Sequence, residues 1–183
     1  MEPAIKKLEN LQNLLNYEVC KFQVAEIHLG HILPNWLEHT ESYKLRSVLE
    51  KYENMIREHS EKLDKFILDE GITSESVENQ VMNAFIQETA EILDLCLDHP
   101  LRDAALLACI QSINHYKISV YGTAAAFSNA LNMPRYATIF HEIEVNEKQI
   151  DDRLSQLAEF EINSKAKVPE RVGNLHANGF SLP

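Results

Sequence analysis

The segment from Arg102 to Thr123 contains no Pro, and its one Gly is Gly122, so it reads as a long helix. Its apolar stripe is interrupted by polar side chains, and this most constrains the fold. Steps of three and four residues pick out Ala104, Leu107, Gln111, Asn114 with His115, Ile118, Gly122 and Ala125. Polar groups at mid-stripe need partners inside the fold, because a buried donor or acceptor without one is costly.

Three other segments repeat the pattern. Leu8, Leu11, Leu15, Glu18, Phe22, Glu26, Leu29 and Leu33 form one stripe, and Leu45, Leu49, Tyr52, Ile56, His59 and Leu63 form another. Ile139, Ile143, Glu147, Ile150, Leu154 and Leu157 form the last. Four helices that each bring a polar group to mid-length predict a bundle with a polar centre.

Breakers and caps set the expected boundaries. The first helix is expected over about 3–33, ended by Pro34, with the turn at 35–42. The second spans about 43–70 and stops at Gly71. A shorter helix at about 75–97 follows hydroxyl caps, with Val77, Val81, Ala84, Phe85, Glu88, Ile92 and Leu95 as its stripe. Asp98-His99-Pro100 breaks it. The third long helix then runs to about Leu131, and Asn132-Met133-Pro134 turns into a fourth ending near Phe160. The expected class is therefore all-α, a four-helix bundle whose long crossover carries a short fifth helix. Residues 1–162 are expected to form the bundle, and 163–183 a polar, loosely ordered tail free to dock on a neighbour. Gly122 is expected to permit a close helix–helix approach.

At 183 residues and 45% hydrophobic, the chain suits one ordinary domain. The 28 acidic against 17 basic residues, a net charge of −11, argue against binding a phosphate backbone, so nucleic acid is not an expected partner. No run of about 18 apolar residues occurs and the N-terminus lacks a signal-type apolar core, which predicts a cytoplasmic protein without a membrane partner. Cys20, Cys96 and Cys109 form no Cys-x-x-Cys pair and read as small buried hydrophobes.

Several pieces together resemble the YciF-type bacterial stress proteins of the ferritin-like superfamily. They are Ala25-Glu26-Ile27-His28-Leu29 with Leu33-Pro34, Glu58-His59 before Leu63, Arg102-Asp103-Ala104-Ala105-Leu106, His115-Tyr116 with Tyr121-Gly122-Thr123, and Glu147 with Asp151. The similarity spans about residues 5–158, and its Tyr-Gly-Thr and Arg-Asp-Ala-Ala-Leu segments are the specific parts. The resemblance implies a ferritin-like bundle that tends to dimerise, with a carboxylate-rich centre able to hold two iron or manganese ions in some members. On that resemblance the candidate metal ligands are Glu26, His59, His115, Glu147 and Asp151.

The departures from that pattern bear on the metal. A ferritin-like di-metal site takes one Glu from each of two helices and a Glu-x-x-His pair from each of the others. No Glu-x-x-His occurs in this chain. Asn114 and Lys117 stand where the family reads acids, Tyr52 where it reads a histidine, and Asn146 where it reads the first of two adjacent acids. Two divalent ions need about four negative ligands, and only Glu26, Glu147 and one of Glu53, Glu144 or Asp151 are in view. Ligand counting favours a metal-free polar core over a di-metal or single-metal centre, with Lys117 either paired to Glu26 or Glu147 or facing solvent.

Ordinary structural roles compete at each position. His59 and His115 suit core histidines, and Tyr52, Tyr116 and Tyr121 suit packed tyrosines with satisfied hydroxyls. His28 and His31 fit a solvated face, as does the acidic run Glu142, Glu144, Glu147, Asp151 and Asp152. Three functional classes follow. The favoured one is a stress-associated, dimeric interaction module with a degenerate centre, and the alternative is a di-iron or di-manganese oxidoreductase handling peroxide or oxygen. A carrier of an apolar ligand finds no positive sign. The expected partner is a second copy, meeting through the crossover or the first helix, where Phe85, Ile86 and Ile92 face more than one side.

Overall fold

A computed structural model describes residues 7–72 and 77–167. Helix α1 spans Leu11–Glu38, α2 Tyr43–Asp69, α3 Gln80–Leu95, α4 His99–Ala130 and α5 Pro134–Leu157; a π-helical turn at Ala158–Ile162 and the short α6, Asn163–Lys165, follow. Among the described residues there is no strand. The chain is an all-α bundle in which α1, α2, α5 and α4 surround one core with neighbours antiparallel, while α3 connects α2 to α4 and packs outside on α1 and α4.

Polar side chains fix the helix starts by accepting orphan backbone N–H groups. Asn10 accepts from Asn13 at 2.8 Å, Asn79 from Met82 at 2.9 Å and Asp98 from Leu101 at 2.9 Å. Asp98-His99-Pro100 therefore starts α4 as well as ending the crossover, with Pro100 in the first turn, where a missing N–H costs nothing. Gly71 and Asn132 adopt the left-handed conformation, φ 61° and 58°, that ends a helix.

Several boundaries differ from expectation. Helix α3 starts at Gln80 behind the Asn79 cap, not at about 75 behind hydroxyls, and Val77 precedes the helix. Helix α1 begins at Leu11 and runs through Pro34 to Glu38. An interior proline costs about 3 kcal/mol, but beyond it Trp36 and Leu37 are buried, and each such side chain stabilises by about 1.5–3 kcal/mol. Continuing the helix therefore wins, with Pro34 itself facing solvent. Residues 163–165, expected to begin the tail, form the turn of α6, whereas 168–183 lie outside the described residues.

The specific Arg-Asp-Ala-Ala-Leu segment serves the bundle end. The Arg102 guanidinium donates to the Leu93 carbonyl at 2.7 Å, closing α3. Buried Asp103 accepts from the backbone N–H groups of Glu41 at 3.2 Å and Ser42 at 2.7 Å, closing the α1–α2 turn. Gly122 makes room for a side chain: a Cβ there would meet the Glu144 carboxylate of α5 at 3.3 Å.

Two apolar clusters fill the core. One, containing Leu29, Leu33, Trp36, Leu49, Ile56, Ile110 and Leu154, occupies the half near the α1–α2 turn; the other, containing Leu15, Phe22, Leu63, Phe66, Tyr136 and Phe140, occupies the opposite half. Near the junction of these clusters each of the four core helices buries a charged or titratable side chain: Glu26, His59, Lys117 and Glu147.

Candidate functional site

The layer between the apolar halves is built from one position on α1 and α5 and about two turns of α2 and α4: Glu26 on α1, Tyr52 and His59 on α2, Asn114, Lys117 and Tyr121 on α4, and Glu147 on α5. All seven side chains are buried. The Lys117 ammonium lies at the centre, 2.9 Å from Glu26 Oε2 and 2.7 Å from Glu147 Oε1. It also lies 3.3 Å from the Tyr52 hydroxyl oxygen. Tyr52 donates to Glu147 Oε2 at 3.0 Å, and the Asn114 amide donates to the same oxygen at 2.5 Å. The Tyr121 hydroxyl donates to Glu26 Oε1.

His59 completes the layer in a different manner. Its Nδ1 is 3.2 Å from Glu147 Oε1 and 3.9 Å from Glu26 Oε1, yet neither ring nitrogen has an aligned hydrogen-bond partner. The contact with Glu147 is close but lacks the direction of a hydrogen bond.

Burial alone would depress the Lys117 pKa, but Glu147 and Glu26 more than reverse it and hold the ammonium protonated well above the ordinary lysine range. For Glu147, burial acts upward, while Lys117 and His59 outweigh it and bring the carboxyl below its ordinary value. Burial, followed by the nearby carboxylates, pushes both Tyr52 and Tyr121 well upward, so they remain phenols. A depressed Glu147 stabilises the fold fully above its unfolded pKa of about 4.5 and loses that contribution as pH falls through the lower folded value. A raised Lys117 contributes below its unfolded pKa of 10.5 and is lost only far into alkali. Urea midpoints are therefore expected to hold through neutral and mildly alkaline pH and to fall in acid below pH 4.5, with a shallower fall in Glu147→Gln. An equal acid slope in the variant would contradict the assignment.

Of the positions singled out from sequence, Glu26, His59, Glu147, Tyr52, Asn114 and Lys117 come together. His115 and Asp151 do not. His115 is largely exposed and its Nε2 pairs with Asp151 at 3.0 Å on the outside of α4 and α5. Asn146 is half-buried and outside the layer. The buried stripe of α4 is Ile110, Asn114, Lys117, Tyr121 and Ala124, one position away from the expected Gln111, Ile118 and Gly122. One residue is about 100° of helix rotation, enough to carry Lys117 inward and His115 outward. The crossover stripe is shifted likewise, with Met82, Thr89 and Leu93 buried and Leu95 exposed. Tyr121 is the member that sequence reasoning left in the general core; its position one turn beyond Lys117 was the available signal.

A metal fits poorly here. Glu26, His59 and Glu147 can each offer one ligand atom, all within 4.8 Å of one another, and among the described residues they are the one such group. Three donors fall short of a di-metal set. The Lys117 ammonium already lies against both carboxylates, and like charges 4 Å apart at an effective dielectric constant of 20 repel by about 4 kcal/mol per unit charge. The residues present do not fit a di-iron or di-manganese centre.

Comparison with known proteins agrees with the architecture. Residues 10–167 match the model of the family described as Domain of unknown function (DUF892). The chain is 28% identical over 144 residues to Protein YciF of Escherichia coli strain K12, covering 78% of this chain and 87% of that protein. Among solved structures, the crystal structure of the E. coli stress protein YciF superposes with a TM-score of 0.79 at 25% identity, covering 88% of this chain and 100% of that one. YcfI from Rhodopseudomonas palustris superposes with a TM-score of 0.78 at 22% identity, covering 82% and 96%, and shares the fold.

Proposed function

The chain belongs to the DUF892 family, and we propose that it is a stress-associated, dimeric interaction module of ferritin-like architecture whose degenerate di-metal centre has become a structural core. The observation that carries this reading is the sealed polar layer: Glu26, Glu147, Lys117, Tyr52 and Asn114 are buried and engage one another. Chemistry on peroxide or oxygen needs a reactive centre that a substrate reaches, and these groups are committed to each other. The stress association is carried over from the relative described as a stress protein.

The surface supplies what an interaction module needs. Tyr43, Leu95, Leu97, Leu101 and Phe160 are exposed at the bundle end where α1 meets α2 and α3 meets α4, and Leu97 is 98% exposed. On the side, Ile27 of α1 and Val81 of α3 are also exposed. Apolar side chains gathered in this way mark association sites more often than isolated ones do, and with a net charge of −11 self-association requires such an attraction. No helix among the described residues is long and apolar enough to cross a membrane.

The proposal is tested by static light scattering at micromolar concentration, where the expected mass is twice the 21.0 kDa of one chain. Leu97→Asp with Leu101→Asp, and separately Ile27→Asp with Val81→Asp, are expected to identify the face by shifting the mass to monomer. A monomeric native protein removes the dimer, and peroxide turnover lost in Glu147→Gln would favour the oxidoreductase reading instead.

A further inference from the structure

Four features of the polar layer describe a cation site. Glu26 Oε2 and Glu147 Oε1 converge from α1 and α5, two helices that do not otherwise pair, and both are buried without a hydrogen-bond partner of regular geometry. The imidazole of His59, also fully buried, is directed at the same place with both ring nitrogens unpartnered. The outer carboxylate oxygens are already held by donors: Tyr121 on Glu26, and Tyr52 with Asn114 on Glu147. Donors on the outer oxygens orient a carboxylate so that its other oxygen faces inward, as the outer shell of a metal site does. The cation at that focus is the Lys117 ammonium.

We propose that Lys117 is a tethered resident cation closing a latent site for one divalent metal ion, with Glu26, His59 and Glu147 as the ligands that removal of the ammonium would release. An ammonium supplies one positive charge and three donors; here it lies in ion-pair contact with Glu26 and Glu147 and donates a hydrogen bond to the Tyr52 oxygen. Because it is covalently attached, the bundle folds without regard to metal supply. Two carboxylates and an imidazole suit a single ion of borderline character, such as zinc or cobalt, better than the two hard ions of an all-carboxylate centre. The inference uses the sealed layer described above and does not depend on dimerisation, so sizing tests that reading and metal titration tests this one.

The test compares the native chain with Lys117→Ala and with the volume-conserving Lys117→Met, each titrated with cobalt(II) and zinc(II). Native protein is expected to give no visible cobalt absorption and no change in melting temperature. The lysine variants are expected to bind one cobalt per chain with a saturable visible spectrum and to regain melting temperature, and adding Glu147→Gln is expected to abolish both. A variant unfolded alone but helical by circular dichroism with metal supports the proposal equally. Stoichiometric binding by the native chain with Lys117 present, or lysine variants that neither bind cobalt nor fold in its presence, would overturn it.

Discussion

Lys117→Ala is expected to destabilise the bundle by about 3–5 kcal/mol, the range found when one partner is removed from a buried ion pair. The ammonium is fully buried and lies within 3 Å of two carboxylates that are buried as well. Without it, Glu26 and Glu147 repel each other in a weakly polarisable interior, and Glu147 retains only neutral donors beside His59. The attraction in the native chain is not a net gain of that size, because desolvating all three charges offsets most of it. Hence Lys117→Met combined with Glu26→Gln and Glu147→Gln is expected to recover most of the loss. Urea unfolding of the single and triple variants checks both parts: a Lys117→Ala midpoint equal to native would remove the lysine from the centre. A triple variant no more stable than the single one would show that packing around the lysine stem, and not charge, is what the mutation disrupts.

The second large effect is expected from Asn114→Glu with Lys117→Glu. Each new carboxyl would face Glu147, and Lys117→Glu would also face Glu26, giving four carboxyl groups beside His59 with no internal cation. The isolated-ion cost of burial is large enough that such groups protonate or the fold opens. At neutral pH the variant is expected to be unfolded or expanded, and manganese or iron(II) is expected to restore helical content in proportion to the ion bound, since binding free energy then becomes folding free energy. Acid is expected to restore part of the helix as well, because protonation neutralises the same groups. A stably folded double variant that ignores metal would show that the two positions face away from a common centre.

How much of this was legible in the sequence depended on how many sides of each helix are covered. Helices α2 and α5 have polar outer faces, so their periodicity placed Tyr52, His59 and Glu147 inward, and the stripe of α1 did the same for Glu26. Helix α4 packs on α5, on α1 and, outside, on α3. Its apolar residues therefore nearly encircle it, and two stripes one residue apart were equally regular. That ambiguity decided Lys117 and His115 together. The pairing of Asp103 with the α1–α2 turn was hidden for another reason: it joins positions 61 and 62 residues apart through backbone N–H groups, which leave no trace in side-chain pattern. Pro34 misled because a local rule was set against burial of Trp36 and Leu37, contacts that exist only in the assembled bundle.

The polar layer also bears on why this sequence has one native alignment of its helices. Apolar stripes repeat about every seven residues, so α4 could slide along its neighbours by two turns and still present aliphatic surface to aliphatic surface. Such a slip would bring Ile110 or Ala124 to the place of Lys117 and leave the carboxyls of Glu26 and Glu147 facing hydrocarbon. Because the ammonium joins α1, α4 and α5 and approaches the Tyr52 hydroxyl of α2, a displacement of any one core helix meets the same penalty. The lysine thus acts as an index pin: whatever it adds to stability, it removes the sliding isomers that a wholly aliphatic interior would tolerate.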